Sequence, residues 1–196
     1  MKNILLVGDS FAADWSVKYQ GCRGWPNILA DRYHVINLAQ AGVSEYKIWR
    51  QIQQAHRYKS DHVIISHTSP FRIPIERHPI HATDGLHSAC DLMYEDIKSH
   101  AAHGLFGLVE YFEKWFDIDY AKFVHQLIID REIVDLKMLG QHSVVHLKHI
   151  DINITTADQP CLDFQKIFIQ HKGLINHFTD AGNRMVAQTL IEWIDQ

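Results

Sequence analysis

Short, β-branched apolar runs alternate along this chain with longer amphipathic stretches, and no other feature restricts its fold as strongly. Residues 3–7, 34–38, 62–66 and 143–147 each read as a brief strand, apolar enough to be covered on both faces. Between them the apolar spacing turns helical. Trp25, Ile28, Leu29 and Tyr33 define a helix over 25–33, with Pro26 suited to its first turn. Tyr46, Ile48, Trp49 and Ile52 define one over 45–57, and Ala181, Met185, Leu190 and Ile194 a last one over 180–194. The stretch 91–139 carries two or three more. Strands alternating with helices predict an α/β fold, a three-layer α/β/α arrangement around a flavodoxin-like, mainly parallel sheet. No repeat, low-complexity tract or linker interrupts it. The expectation is therefore one domain over 1–196, with a helical insertion at about 88–140. In such sheets the reactive loops lie outside the carboxyl ends of the strands. Those following residues 7, 38 and 66 are the ones to inspect.

The loop after the first strand reads Gly8-Asp9-Ser10-Phe11. A small residue permits a sharp turn, and Ser10 then stands where strand gives way to helix, near backbone N–H groups able to stabilise an oxyanion. The same serine is equally well suited to be a helix N-cap. Two further blocks bear on the choice: Gly42, within Asn37-Leu38-Ala39-Gln40-Ala41-Gly42-Val43-Ser44, and His177, within Asn176-His177-Phe178-Thr179-Asp180-Ala181-Gly182.

In order and position these three blocks resemble the SGNH (GDSL-like) hydrolase family. The resemblance implies Ser10 as nucleophile, His177 as its base, and the Gly42 N–H as an oxyanion donor beside that of Ser10. Two departures mark the chain as divergent. The Gly-x-Asn-Asp block expected after the third strand is replaced by Ser66-His67-Thr68-Ser69-Pro70-Phe71-Arg72, which has no asparagine. Ser69 falls at that position, with Thr68 and His67 beside it, and a hydroxyl can supply one hydrogen bond in place of the amide. Asp9, next to the nucleophile, is grouped with these oxyanion and substrate-binding candidates. The aspartate expected three residues before the histidine is Leu174. His177 is then oriented by a main-chain carbonyl, giving a Ser–His dyad, or by a carboxylate from elsewhere such as Asp14 or Asp180. Asn176 is expected to point away from its neighbour's ring. The resemblance implies an esterase or deacylase working through an acyl-enzyme, with a carbohydrate acetyl ester or a short-chain ester as substrate. The alternative is a catalytically silent binding protein that kept the scaffold. A nucleotide-binding flavodoxin-like protein is disfavoured, because Gly8-Asp9-Ser10-Phe11-Ala12-Ala13 is no phosphate loop and Asp9 would repel phosphate.

The net charge of -4 leaves no basic footprint for nucleic acid. The apolar run 3–7 is too short to span a membrane and lacks the features of a signal peptide. Cys22, Cys90 and Cys161 are odd in number and scattered, which fits reduced thiols. The chain is therefore expected to begin at Met1 and stay in the cytoplasm, with no membrane or nucleic-acid partner. Its 15 histidines raise the question of a metal. Neither His78, His81 and His87 nor His142, His146 and His149 completes a zinc pattern, so no metal and no cofactor are expected. The loop from Pro70 to His87 is expected to form a substrate wall or lid, with Arg72 set for a polar or anionic substrate group. Phe106, Tyr111, Phe112, Trp115, Phe116, Tyr120 and Phe123 read as core. Were they exposed instead, they would suit an interface between copies in a homo-oligomer or an acyl pocket.

Overall fold

A computed structural model describes residues 1–100, 104–141, 143–156 and 159–196. Five parallel strands form the sheet: β1 (Asn3–Gly8), β2 (His34–Asn37), β3 (His62–Ser66), β4 (Val144–Lys148) and β5 (Cys161–Asp163). Their order is β2-β1-β3-β4-β5. Sequence runs outward from β1 in both directions, so the chain reverses its winding beside β1. Loops separate at such a switch point and leave a crevice at the carboxyl edge. The register pairs Gly8 with Ser66 at that edge.

The alternation of side chains along β1 splits the core in two. Ile4 and Leu6 face a layer containing Trp25, Leu29, Phe178, Val186 and Leu190. Those residues come from α1 (Trp25–Ala30) and α7 (Asp180–Ile194), together with the turn before α7. Leu5 and Val7 face Val43, Ile48, Ile52 and Leu136, supplied by the approach to α2, by α2 (Glu45–Ile52) and by α5 (Ile118–Met138). The four expected strands and the 25–33, 45–57 and 180–194 helices are all present, the first two helices shortened. A 3-10 turn over Ala55–Arg57 closes the second.

Between β3 and β4 lie α3 (Tyr94–Ser99), α4 (Phe106–Lys114) and α5. The aromatic run there is not core. Phe106, Tyr111, Trp115, Tyr120 and Phe123 are exposed, because α4 buries none of its residues and α5 turns His125, Ile129, Glu132, Asp135 and Leu136 inward instead. Downstream of β5 come α6 (Gln165–Gln170) and β6 (Lys172–Ile175). β6 folds back on Phe178 through isolated bridges and prepares the entry to α7. Among the described residues no helix is long and apolar enough to cross a membrane. Cys22, Cys90 and Cys161 carry free thiols.

Candidate active site

The turn after β1 is built so that its carbonyls face away from the crevice. Each carbonyl from Ser10 to Ala13 accepts a side-chain N–H. Trp15 Nε1 donates to Ser10 O at 2.8 Å, Trp25 Nε1 to Phe11 O at 2.6 Å and Asn37 Nδ2 to Ala12 O at 2.9 Å. Asn176 Nδ2 donates to Phe11 O and Ala13 O, both at 2.9 Å. Underneath, the buried Asp9 carboxylate accepts from Phe11 N at 3.0 Å and from Ser66 Oγ at 3.4 Å. Burial pushes the Asp9 pKa up to about 6, against the opposing pull of Arg72, the Phe11 N–H and Thr68. Asp9, 2% exposed, thus fastens the nucleophile turn through Phe11 N.

Ser10 Oγ stands 2.8 Å from His177 Nε2, across 167 residues of chain. Among the described residues the Ser10 and Gly42 N–H groups donate to no protein acceptor. Gly42 adopts φ +76°, and a Cβ there would come within 2.6 Å of Cys90 Cβ, so the close loop packing requires glycine. Its carbonyl is turned away to accept from Asp91 N at 2.9 Å and Arg72 Nη1 at 3.0 Å.

His177 has no carboxylate partner among the described residues. Leu174 is 58% exposed. Asp14 is committed to Ser16 and Asn27, and Asp180 starts α7 on the surface. No carbonyl among the described residues bonds the second ring nitrogen either, so neither expected orienting group is in place. Packing holds the ring instead: Phe11 lies 4.4 Å away centroid to centroid, Trp15 5.6 Å and Phe168 6.5 Å. Burial, then the electrostatic influence of Arg72, His87 and Lys172, lowers the His177 pKa to about 4. The imidazole is neutral at pH 7, the form a general base needs.

The backbone beneath it is unusual. Asn176 and His177 both lie in the left-handed region, at φ 49° and 62°. Asparagine tolerates this conformation better than most residues. As expected, Asn176 points away from the His177 ring, but it points into the nucleophile turn. It lies so close to Gly24 that a Cβ there would collide with Asn176 Oδ1. Replacing Asn176 by alanine removes the only donor to Ala13 O among the described residues and adds left-handed strain. The expected cost is about 3 kcal/mol in urea denaturation. Asn176→Gly should recover about 1 kcal/mol of it, since glycine relieves the strain without restoring the donor. A loss below about 1 kcal/mol for alanine would remove Asn176 from this role.

The loop after β3 divides. Thr68 Oγ1 accepts from Arg72 Nε at 3.0 Å, and both residues act to lower the Asp9 pKa, so Thr68 and Arg72 belong to the surroundings of the Ser10 turn. Ser69 Oγ accepts from Phe71 N at 3.3 Å and lines a neighbouring cavity with Glu45, Arg72 and His125. His67 is fully buried and turns inward to Glu45 and His146. It does not border the nucleophile. From the 70–87 loop, Arg72 and His87 approach His177 closely enough to depress its pKa. Of the second histidine group, His142 lies outside the described residues, while His146 and His149 are buried on separate contacts.

No protein-family model matches the chain, and no curated protein matches it in sequence. Among solved structures it is similar to one described as a "putative lipolytic protein of G-D-S-L family" from Desulfitobacterium hafniense DCB-2. The match has a TM-score of 0.56 at 10% identity and covers 98% of this chain and 99% of that one. The class so defined is the α/β fold with a mainly parallel sheet, shared with that G-D-S-L protein.

Proposed function

We propose that this chain is a serine hydrolase that cleaves an ester through a Ser–His acyl-enzyme mechanism. The observation that carries the reading is the 2.8 Å approach of His177 Nε2 to Ser10 Oγ; among the described residues the N–H groups of Ser10 and Gly42 have no protein acceptor. His177 takes the Ser10 proton as Ser10 Oγ attacks the ester carbonyl. The oxyanion is received by the N–H groups of Ser10 and Gly42, and the Nε2 proton passes to the departing alcohol. Water, deprotonated by the same imidazole, then releases the acid. The substrate class proposed is a short acyl ester, an O-acetylated carbohydrate above others, and the compartment the cytoplasm. Arg72, which bonds both Thr68 and the Gly42 carbonyl, is proposed to steady the oxyanion loop and meet a polar substrate group.

The test is labelling by a fluorophosphonate probe. The wild-type chain should be labelled and Ser10→Ala should not, with p-nitrophenyl acetate turnover lost in parallel. An unlabelled wild type, or a label that persists in Ser10→Ala, would leave the silent binding protein as the correct reading.

A further inference from the structure

Beneath the loop after β3, away from Ser10, three side chains from separate elements converge in the interior. Glu45 begins α2, His67 follows β3, and Glu132 lies on the inward face of α5. Glu45 Oε1 is 2.6 Å from His67 Nδ1, and Glu132 Oε2 is 4.0 Å from the same nitrogen. All three residues are buried, Glu132 completely. Neither Glu132 oxygen has a hydrogen-bond partner among the described residues. An unpaired carboxylate in such a place costs several kcal/mol unless something neutralises it.

The protons of the surrounding histidines can be placed from their partners. His146 Nε2 faces the Gln159 Oε1 acceptor and so carries its proton. Its Nδ1 then accepts from His67 Nε2, 2.7 Å away. His67 Nδ1 in turn hydrogen-bonds Glu45 Oε1 at 2.6 Å, and the proton they share is the one a metal ion would displace. Meanwhile Glu45 Oε2 accepts from Thr68 N at 3.2 Å and faces His125 Nε2 at 3.0 Å, so its other oxygen, Oε1, is the one turned to His67 in the interior. A ligating imidazole whose second nitrogen donates onward, and a ligating carboxylate whose outer oxygen is hydrogen-bonded, are the usual surroundings of a bound metal.

We propose that Glu45, His67 and Glu132 bind one divalent first-row transition-metal ion. A dication neutralises both carboxylates and engages all three ligand atoms at once. Ligands about 2.0–2.2 Å from such an ion lie roughly 3.3 Å apart. The 2.6 and 4.0 Å separations bracket that value, so shifts below an ångström complete the site. One imidazole and two carboxylates suit zinc or manganese. A cavity of about 490 Å³, walled by Glu45, His125, Arg72 and the exposed aromatics of α4 and α5, provides the entry path.

The other histidine cluster fails on the same proton logic. His78 Nδ1 accepts from the N–H groups of Ile80 and His81, so neutral His78 keeps its proton on Nε2, the atom facing Asp96. That nitrogen has no lone pair to offer.

The test is metal stoichiometry on the purified full chain, stripped with EDTA, reloaded with ZnCl2 or, in a second arm, MnCl2, and passed through gel filtration. The wild type should retain a single equivalent, and chelation should lower its Tm. Glu132→Gln, nearly isosteric, should weaken zinc binding at least about tenfold and lose the chelator effect. His67→Gln gives the same readout should Glu132→Gln fail to fold. His81→Gln should still retain its equivalent. A wild type that retains neither zinc nor manganese overturns the proposal. So does a folded Glu132→Gln that binds as tightly as wild type, or a His81→Gln that loses the metal. Fluorophosphonate labelling of Ser10, measured alongside, reports the hydrolase reading independently.

Discussion

His177→Ala is expected to lower kcat/KM for p-nitrophenyl acetate by about 10³–10⁴-fold, with the circular dichroism spectrum unchanged. Among the described residues the imidazole is the only side chain within hydrogen-bonding distance of Ser10 Oγ, and none of the others can take the proton in its place. The starting rate should itself be low. Disabling the orienting carboxylate of a serine protease costs about 10⁴-fold, and here no carboxylate among the described residues supports the ring. A base whose pKa is about 4 is also unprotonated at pH 7 but a weak proton acceptor. The pH profile reads this directly. Wild-type kcat/KM should stay flat as pH falls from 8 to about 5, then decline as His177 becomes protonated near 4. A midpoint near 6.5, the ordinary histidine value, would mean that another group restores the basicity of the ring. Free imidazole should return part of the activity to His177→Ala. Activity undiminished in that variant would remove the base from the mechanism.

The parts legible in the sequence are those written locally. The β1, β2, β3 and β4 runs are continuous because a parallel sheet buries both faces of its strands. β5 was not legible: Cys161–Asp163 is three residues at the sheet edge, two of them exposed. The neighbouring α6 has no fully buried residue, and only Ile167 and Phe168 lean against the core, too short a pair to mark an apolar stripe. Helical periodicity over Phe106 to Phe123 was visible, but a period does not say which face meets the core. Ser10, Gly42 and His177 each sit in a short recognisable block. What holds them does not. The clamp on the nucleophile turn is assembled from Trp15, Trp25, Asn37 and Asn176, and only folding brings their donors to four consecutive carbonyls. The aromatic box that replaces a carboxylate beside His177 combines Phe11 and Trp15 with Phe168 in the same way. Glu45, His67 and Glu132 follow no metal-binding spacing, because each comes from a different element.

His149→Phe is expected to make the protein markedly more resistant to acid than the wild type. His149 follows β4 and is fully buried, stacked on Phe11 at 4.5 Å and 5° and flanked by Phe164 and Phe178. Neither ring nitrogen has a partner among the described residues. Burial, reinforced by His177 and His67, lowers its pKa to about 3. The unfolded chain takes up a proton at this residue near pH 6.5, but the native one does so only near 3. Between those values the unfolded state binds more protons, so stability falls as pH falls. From pH 7 to pH 5 the loss from His149 alone is about 2 kcal/mol, and it would be the same for any native pKa well below 5. Phenylalanine cannot titrate and so removes that slope. The larger ring carries a packing cost of about 1–3 kcal/mol at every pH, and the buried Asp9 titrates alike in both proteins. The decisive quantity is therefore the difference between variant and wild type in urea denaturation at the two pH values. It should move by about 2 kcal/mol in favour of the variant at pH 5. A difference independent of pH would mean that His149 is protonated in the folded protein, and that the aromatic floor beneath His177 is wetter than its packing implies.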